Sequence, residues 1–338
     1  MKILAALTLI AATALSAQTP TERLTAMTKS TGLANVTGKP WHLKADVTVF
    51  DDDGKNPSPG TLEIWHSDYG MRVTYTFGAT IVTELKVGPD THNSSTGPAL
   101  SHRAIEVFDQ LMHPGPTTEE IAESTVELEK HNFGKVSFDC IYLAQPITDH
   151  KPAPLGLFPT YCLQADNVLR TSYDYATRSV LINGAGKFLD ASIPTQLSIV
   201  DDSKTVATAK VTTLGTYVPD PAQFEPTHDM ESLHYLRVGG GVAAGNVINK
   251  VQPVYPPDAR QHHITGVVLL HGTIGRDGHV HSLRVVSAPD PQLALSALQC
   301  VRYWTYKPYL LNDRPTEVDT TFSIGFGIGE IHETGIRH

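Results

Sequence analysis

Two alternating runs around a tight turn, then a helix-spaced run and a third alternating run, constrain this chain more than anything else in it. They lie between Val251 and Phe326. Thr265 to Ile274 and His279 to Ala288 flank Gly275-Arg276-Asp277-Gly278, and Asp-Gly closing a short loop is hairpin chemistry, because glycine takes positive φ without steric cost. Pairing about that turn puts Val268, Leu270, Ile274, Leu283 and Val285 on one face, and His271, Thr273, Ser282 and Arg284 on the other. After it, Leu293, Ala297, Leu298 and Val301 recur at helical spacing, with Ser287 or Asp290 as the cap. The last run, Glu317 to Phe326, sets Val318, Thr320, Phe322 and Ile324 against Glu317, Asp319, Thr321 and Ser323. Residues 251–328 therefore read as a small ββαβ domain, with 329–338 as a tail.

The remaining length is enough for one further domain, since 338 residues correspond to two units of about 150. Met1-Lys2, an apolar run from Ile3 to Leu15 and the small residues before Gln18 have the form of a cleaved signal peptide at 1–17; the run is shorter than the ~20 residues a spanning helix needs. A short helix is expected over Thr21 to Lys29. Trp41 to Phe50 alternates strictly, with Trp41, Leu43, Ala45, Val47 and Val49 on one face. Further strands follow at short intervals up to Ala79-Val87, and from Lys135 to Leu214. Between them, Ile105, Phe108, Leu111 and Met112 predict a helix, and Thr117 or Thr118 with Glu120 begins a second. The expectation is an α+β protein: a β-rich domain at 18–215 forming an antiparallel half-barrel-like sheet with helices, a Pro-containing linker at 216–250, and the small C-terminal domain.

Several chemistries are disfavoured. A net charge of −9 argues against nucleic acid, whose phosphates call for a basic surface. Neither a GxSxG elbow nor an HExxH helix is present. Gly239, Gly241 and Ala244 fit a loose dinucleotide pattern, but a proline-rich stretch stands where its strand is required. Asp51-Asp52-Asp53-Gly54 lacks the spaced ligands and distal glutamate of a calcium loop. Of the clustered histidines, His279 and His281 are expected on one face of the hairpin and His271 on the other, so they do not converge. No catalytic residue, cofactor or metal site is assigned, and the chain is expected not to be an enzyme. Cys140 and Cys162 lie in strand-like contexts and, in an exported chain, predict a disulfide; Cys300 belongs to the C-terminal helix as a buried thiol.

The C-terminal motifs carry a resemblance. Tyr255-Pro256-x-x-Ala259, Ile264-x-Gly266-x-Val268, Asp277-Gly278-x-Val280, Ala297-x-x-x-Val301, Trp304-x-Tyr306-x-Pro308 and Asn312-x-Arg314-Pro315 stand in the order and spacing of the TonB C-terminal domain, which this stretch resembles. The resemblance implies a periplasmic domain that grips an extended segment of an outer-membrane receptor, or another envelope protein, by adding it as a strand. It puts the receiving edge at Val318, Asp319, Thr320, Thr321, Phe322 and Ser323, with Arg260 and Gln261 beside the incoming peptide. Tyr255, Pro256, Ala259, Gly266, Asp277, Gly278, Trp304 and Pro308 are read as mainly structural. TonB proper has an uncleaved membrane helix and a long spacer; a signal peptide and a folded domain in their place imply binding without direct coupling to the motor. The region from about Thr21 to Leu214, with DGKNPSPGTLEIW early and IPTQLSIVDD late, is similar in layout to the LolA/LolB lipoprotein carriers. That likeness implies a lipid or apolar ligand as the alternative cargo, with the C-terminal domain as a docking module. The oligomeric state is not legible.

Overall fold

The computed structural model describes residues 18–144, 155–164, 167–174, 178–233, 247–311, 314–316 and 318–327. The expected signal peptide, the Gly239–Ala244 pattern and the tail lie outside the described residues.

The chain opens with α1 (Pro20–Ser30), where Thr19 and Glu22 form a reciprocal capping box. A five-strand meander follows: β1 (Trp41–Val49), β2 (Ser58–Ser67), β3 (Gly70–Phe77), β4 (Thr80–Val87) and β5 (Asp90–Thr96). Two helices, α2 (His102–Met112) and α3 (Thr118–Glu123), then carry the chain to the far end of the sheet. There β6 (Thr125–Phe133), β7 (Val136–Ala144), β8 (Thr160–Leu163), β9 (Leu169–Asp174), β10 (Arg178–Phe188), β11 (Ala191–Asp201) and β12 (Lys204–Thr216) return, so that β12 pairs with β1. With β13 (Glu231–Leu233) on β5, this makes one antiparallel sheet of 13 described strands, in the order β13-β5-β4-β3-β2-β1-β12-β11-β10-β9-β8-β7-β6.

The strict alternation of β1 is borne out: Trp41, Leu43, Ala45, Val47 and Val49 are all buried. They share a core with Leu62, Ile64, Ile193 and Leu197 of the sheet and with Ala104, Val107, Leu111 and Met112 of α2. The apolar face of the sheet is thus filled by a helix of the same chain. Its buried stripe runs through Ala104, Val107 and Leu111 rather than through Ile105, which is 38% exposed, while Phe108 packs at the margin. A second cluster packs Leu24, Met27 and Ile121 of α1 and α3 against Ile141, Leu143, Leu163 and Leu169.

Two sequence expectations need correction. Strands resume at Thr125, ten residues before the position expected: TVELEKHNF is an outer strand, only partly buried, whose apolar alternation stops after Val126 and Leu128. Part of the segment read as a linker is also built into the sheet. Phe224 is buried with its ring 6.2 Å from that of Tyr69, Arg72 donates to the Gln223 carbonyl at 3.1 Å, and β13 adds to β5.

Cys140 and Cys162 face each other across β7 and β8 and are joined by the predicted disulfide, spanning 22 residues. Replacing both with alanine is expected to cost about 3 kcal/mol through the freedom restored to the unfolded chain, a fall of roughly 6–12 °C in Tm for a domain of this size. Thermal melts followed by circular dichroism, with the oxidised wild type as reference, check this.

The C-terminal domain comprises β14 (Val247–Asn249), α4 (Pro257–Gln261), β15 (Gly266–Ile274), β16 (Val280–Ser287), α5 (Pro291–Val301), β17 (Thr305–Tyr306), β18 (Tyr309–Leu311), β19 (Arg314–Thr316) and β20 (Val318–Phe326). Asp290 caps α5 by accepting from the amides of Gln292 and Leu293. Leu293, Ala297, Leu298 and Val301 are fully buried under β15, β16 and β20. Tyr142 and Ala144 of β7, with Leu157 and Phe158 just before β8, belong to the same buried cluster, so the two halves share apolar packing.

Candidate functional site

The three-stranded sheet of the C-terminal domain has the order β16-β15-β20. β20 pairs along its whole length with β15, from Gly266 opposite Phe326 to Ile274 opposite Val318. Among the described residues no other strand pairs with it, so its second edge is a sheet edge. Its apolar alternation explains why it sits there: Val318, Thr320, Phe322 and Ile324 face the α5 core, each at most 3% exposed. Asp319 and Thr321, on the opposite face, are half-buried. Thr273 Oγ1 reaches Asp319 at 3.4 Å and His271 Nε2 lies 3.5 Å from the same carboxylate, a cross-strand pair and its diagonal neighbour. Ser323 and Gly325 are buried as well, so the strand is covered on both faces toward its end and most accessible toward its start.

Arg260 and Gln261 are exposed at the end of α4. That helix is anchored by buried Ala259 and by Tyr255, whose ring meets Phe326 edge-on at 5.5 Å and whose hydroxyl donates to the Ile264 carbonyl at 2.5 Å. The pair therefore stands toward the Phe326 end of β20, while the proposed receiving residues start at Val318. Eight residues of strand span about 27 Å.

The motif residues have clear structural work. Pro256 stands at the N-cap of α4. Trp304 donates from Nε1 to the Val251 carbonyl at 2.8 Å and meets Phe322 edge-on at 6.0 Å, holding the entry to the domain against its last strand. Pro308 is exposed between β17 and β18. Gly266 begins β15 with a positive φ of 146°. Gly278 has φ +81° in the hairpin turn, and its carbonyl accepts from the Tyr306 amide at 2.8 Å.

Residues 251–328 match the family described as the Gram-negative bacterial TonB protein C-terminal. The resemblance read from the motifs is thereby shown over the TonB-like domain, about a quarter of the chain. The remainder has solved neighbours. One is a LolA superfamily protein from Nitrosomonas europaea, 10% identical, covering 62% of this chain and 99% of its own, with a TM-score of 0.39. Another is a domain described as an outer membrane lipoprotein-sorting protein from Vibrio parahaemolyticus, 9% identical, covering 60% and 95%, with a TM-score of 0.38. No curated protein sequence matches the chain.

The TonB-like domain docks on the large sheet through charge as well as apolar packing. Arg302, after α5, pairs with Asp201 at 2.8 Å and with Asp202 at 2.5 Å in the β11–β12 turn. Arg276 lies 3.7 Å from Glu84 on β4, and Asp277 lies 3.0 Å from His102 at the start of α2. Between these contacts is a cleft of about 520 Å³, to which Arg103, Arg178 and Tyr303 also contribute. Burial pulls the Arg178 guanidinium down to about 10, with Asp201 opposing that shift and the like charges of Arg103 and Arg302 adding to it. The hydrogen bond to Asp277 raises His279 above the usual imidazole range. None of this seam was assigned from sequence, because its charged groups come from segments far apart in the chain.

Proposed function

We propose that this protein acts in the bacterial envelope by binding an extended peptide segment of an outer-membrane or other envelope protein, and that it does so without catalysis. The observation that carries this reading is the edge position of β20 in a domain that matches the TonB C-terminal family. An unpaired strand edge supplies a row of backbone N–H and C=O groups, and strand addition draws its affinity from these, leaving side chains to modulate specificity. The start of the strand, around Val318 to Thr321, is the segment we assign to the peptide, since the end is covered. Among the described residues, no helix is long and apolar enough to cross a membrane.

Proline scanning tests this reading. Successive residues of a strand aim their N–H groups at opposite edges. Of Thr320→Pro and Thr321→Pro, one therefore removes a donor from the β15 ladder and the other a donor from the outer edge. Fluorescence anisotropy with labelled extended segments of outer-membrane receptors is expected to show binding to the wild type. The outer-edge variant should stay folded and bind at least about tenfold more weakly, since proline removes one ladder donor and leaves its partner carbonyl unsatisfied, a cost of about 1–3 kcal/mol. Wild-type affinity in both folded variants would exclude strand addition at this edge.

A further inference from the structure

The hairpin turn of the TonB-like domain brings a carboxylate and an imidazole to the first turn of α2, and a second imidazole meets them there. His102 Nδ1 lies 3.0 Å from Asp277 Oδ2, and His279 Nδ1 lies 3.4 Å from the same oxygen. The two imidazoles stack with centroids 5.1 Å apart and planes 26° from parallel. All three ligand atoms fall within 4.8 Å of one another. Each side chain is partly buried, and all three line the cleft between the two halves of the molecule.

We propose that His102, Asp277 and His279 form a binding site for a divalent transition-metal ion that bridges the TonB-like domain and the large sheet. Two donor atoms ~2.0–2.1 Å from a tetrahedral ion stand about 3.4 Å apart, so both separations to Asp277 already suit one ion. A small movement of one ring closes the third side of the triangle. The ligand set decides the class: two imidazoles and one carboxylate suit zinc and its neighbours, whereas calcium and magnesium call for oxygen donors. Asp277 is held in place for the task, because its other oxygen, Oδ1, accepts from the His279 amide at 3.0 Å, leaving Oδ2 turned to the imidazoles. Three protein ligands leave a fourth position, which the cleft supplies with room for water or an anionic ligand. One ligand comes from the large sheet's helix and two from the TonB-like domain, so the ion fixes their relative placement.

The test uses the full chain, stripped of metal and titrated with Zn²⁺ by calorimetry, and with Co²⁺ by visible absorption, which reports ligand geometry. One strongly bound ion per chain is expected, accompanied by a rise in Tm, because a ligand that binds only the folded state stabilises it. His102→Ala, His279→Ala and Asp277→Asn should each weaken Zn²⁺ binding at least about tenfold and abolish the rise in Tm. The asparagine variant keeps an oxygen for the His279 amide and so guards against loss through misfolding. His262→Ala and His263→Ala, at exposed histidines after α4, should leave binding unchanged. Equal affinity in the three site variants, or an equal loss in the two controls, would overturn the site and leave only surface histidine binding.

Discussion

Gly278→Ala is expected to unfold most of the TonB-like domain while leaving the large sheet intact. A Cβ at this position would stand 1.9 Å from the Tyr306 carbonyl oxygen, in a residue whose φ is +81°. The left-handed backbone alone costs an alanine about 1–2 kcal/mol. The clash is the larger part, because its partner is backbone: the Tyr306 carbonyl belongs to β17, and the Tyr306 amide is bonded to Gly278 itself. Relieving the contact means parting the hairpin turn from β17 and losing that bond. A domain of fewer than about 80 residues rarely has more than 3–5 kcal/mol to lose. Gly134→Ala is the control, since Gly134 also has positive φ (+64°) but nothing within 4 Å of the added atom. Hydrogen exchange should show β15 and β16 deprotected in the first variant only. Equal protection in both would mean that the turn tolerates the side chain and that Gly278 matters for its φ alone.

What the sequence made legible divides along the range of the interactions. The hairpin at Gly275–Gly278, the cap at Asp290 and the buried face of β1 each depend on residues within about ten positions, and each stands where the spacing put it. β6 escaped because it is an outer strand whose apolar face is short: Val126 and Leu128 pack at the margin of a core, and the polar residues after them continue no alternation. The segment around Phe224 has three prolines and no periodicity, the pattern of a connector, yet a buried ring, one hydrogen bond from Arg72 and a short strand dock it. The ββαβ order was legible, but that β20 pairs with β15 rather than with β16 is a long-range choice the spacing does not encode. The histidine reading considered only the hairpin; its second imidazole partner is His102, in α2 of the other half, and only the docking of the two halves brings it near. The β15–β16 register also differs from strict alternation, shifting between His271 and Thr273, so His281 is paired opposite Thr273. Local periodicity carries no information about such long-range meetings.

Arg302→Ala should separate the two halves of the molecule rather than unfold either. Arg302 is 6% exposed in its side chain and is the cation between Asp201, at the end of β11, and Asp202, in the turn that follows. Its guanidinium also lies 4.4 Å from the Tyr303 ring centroid, and the Tyr303 hydroxyl reaches Asp202. Removing one partner of a buried ion pair costs about 3–5 kcal/mol, because the other charge stays behind unscreened. Two terms reduce that figure here. Asp202 is 45% exposed, so water takes over much of its charge. Arg178 is held down in part by the like charge of Arg302, so it gains from the loss and remains near Asp201. A cost of about 2 kcal/mol is therefore expected, falling on the seam, since neither domain's own core contains Arg302. Hydrogen exchange should show the amides around Asp202 and Tyr303 deprotected in the variant, with both domains keeping their secondary structure. In a cycle with Asp201→Ala, the coupling should account for most of the loss. An additive cycle would show that apolar packing around Tyr142 and Phe158 orders the seam and that the ion pairs only decorate it.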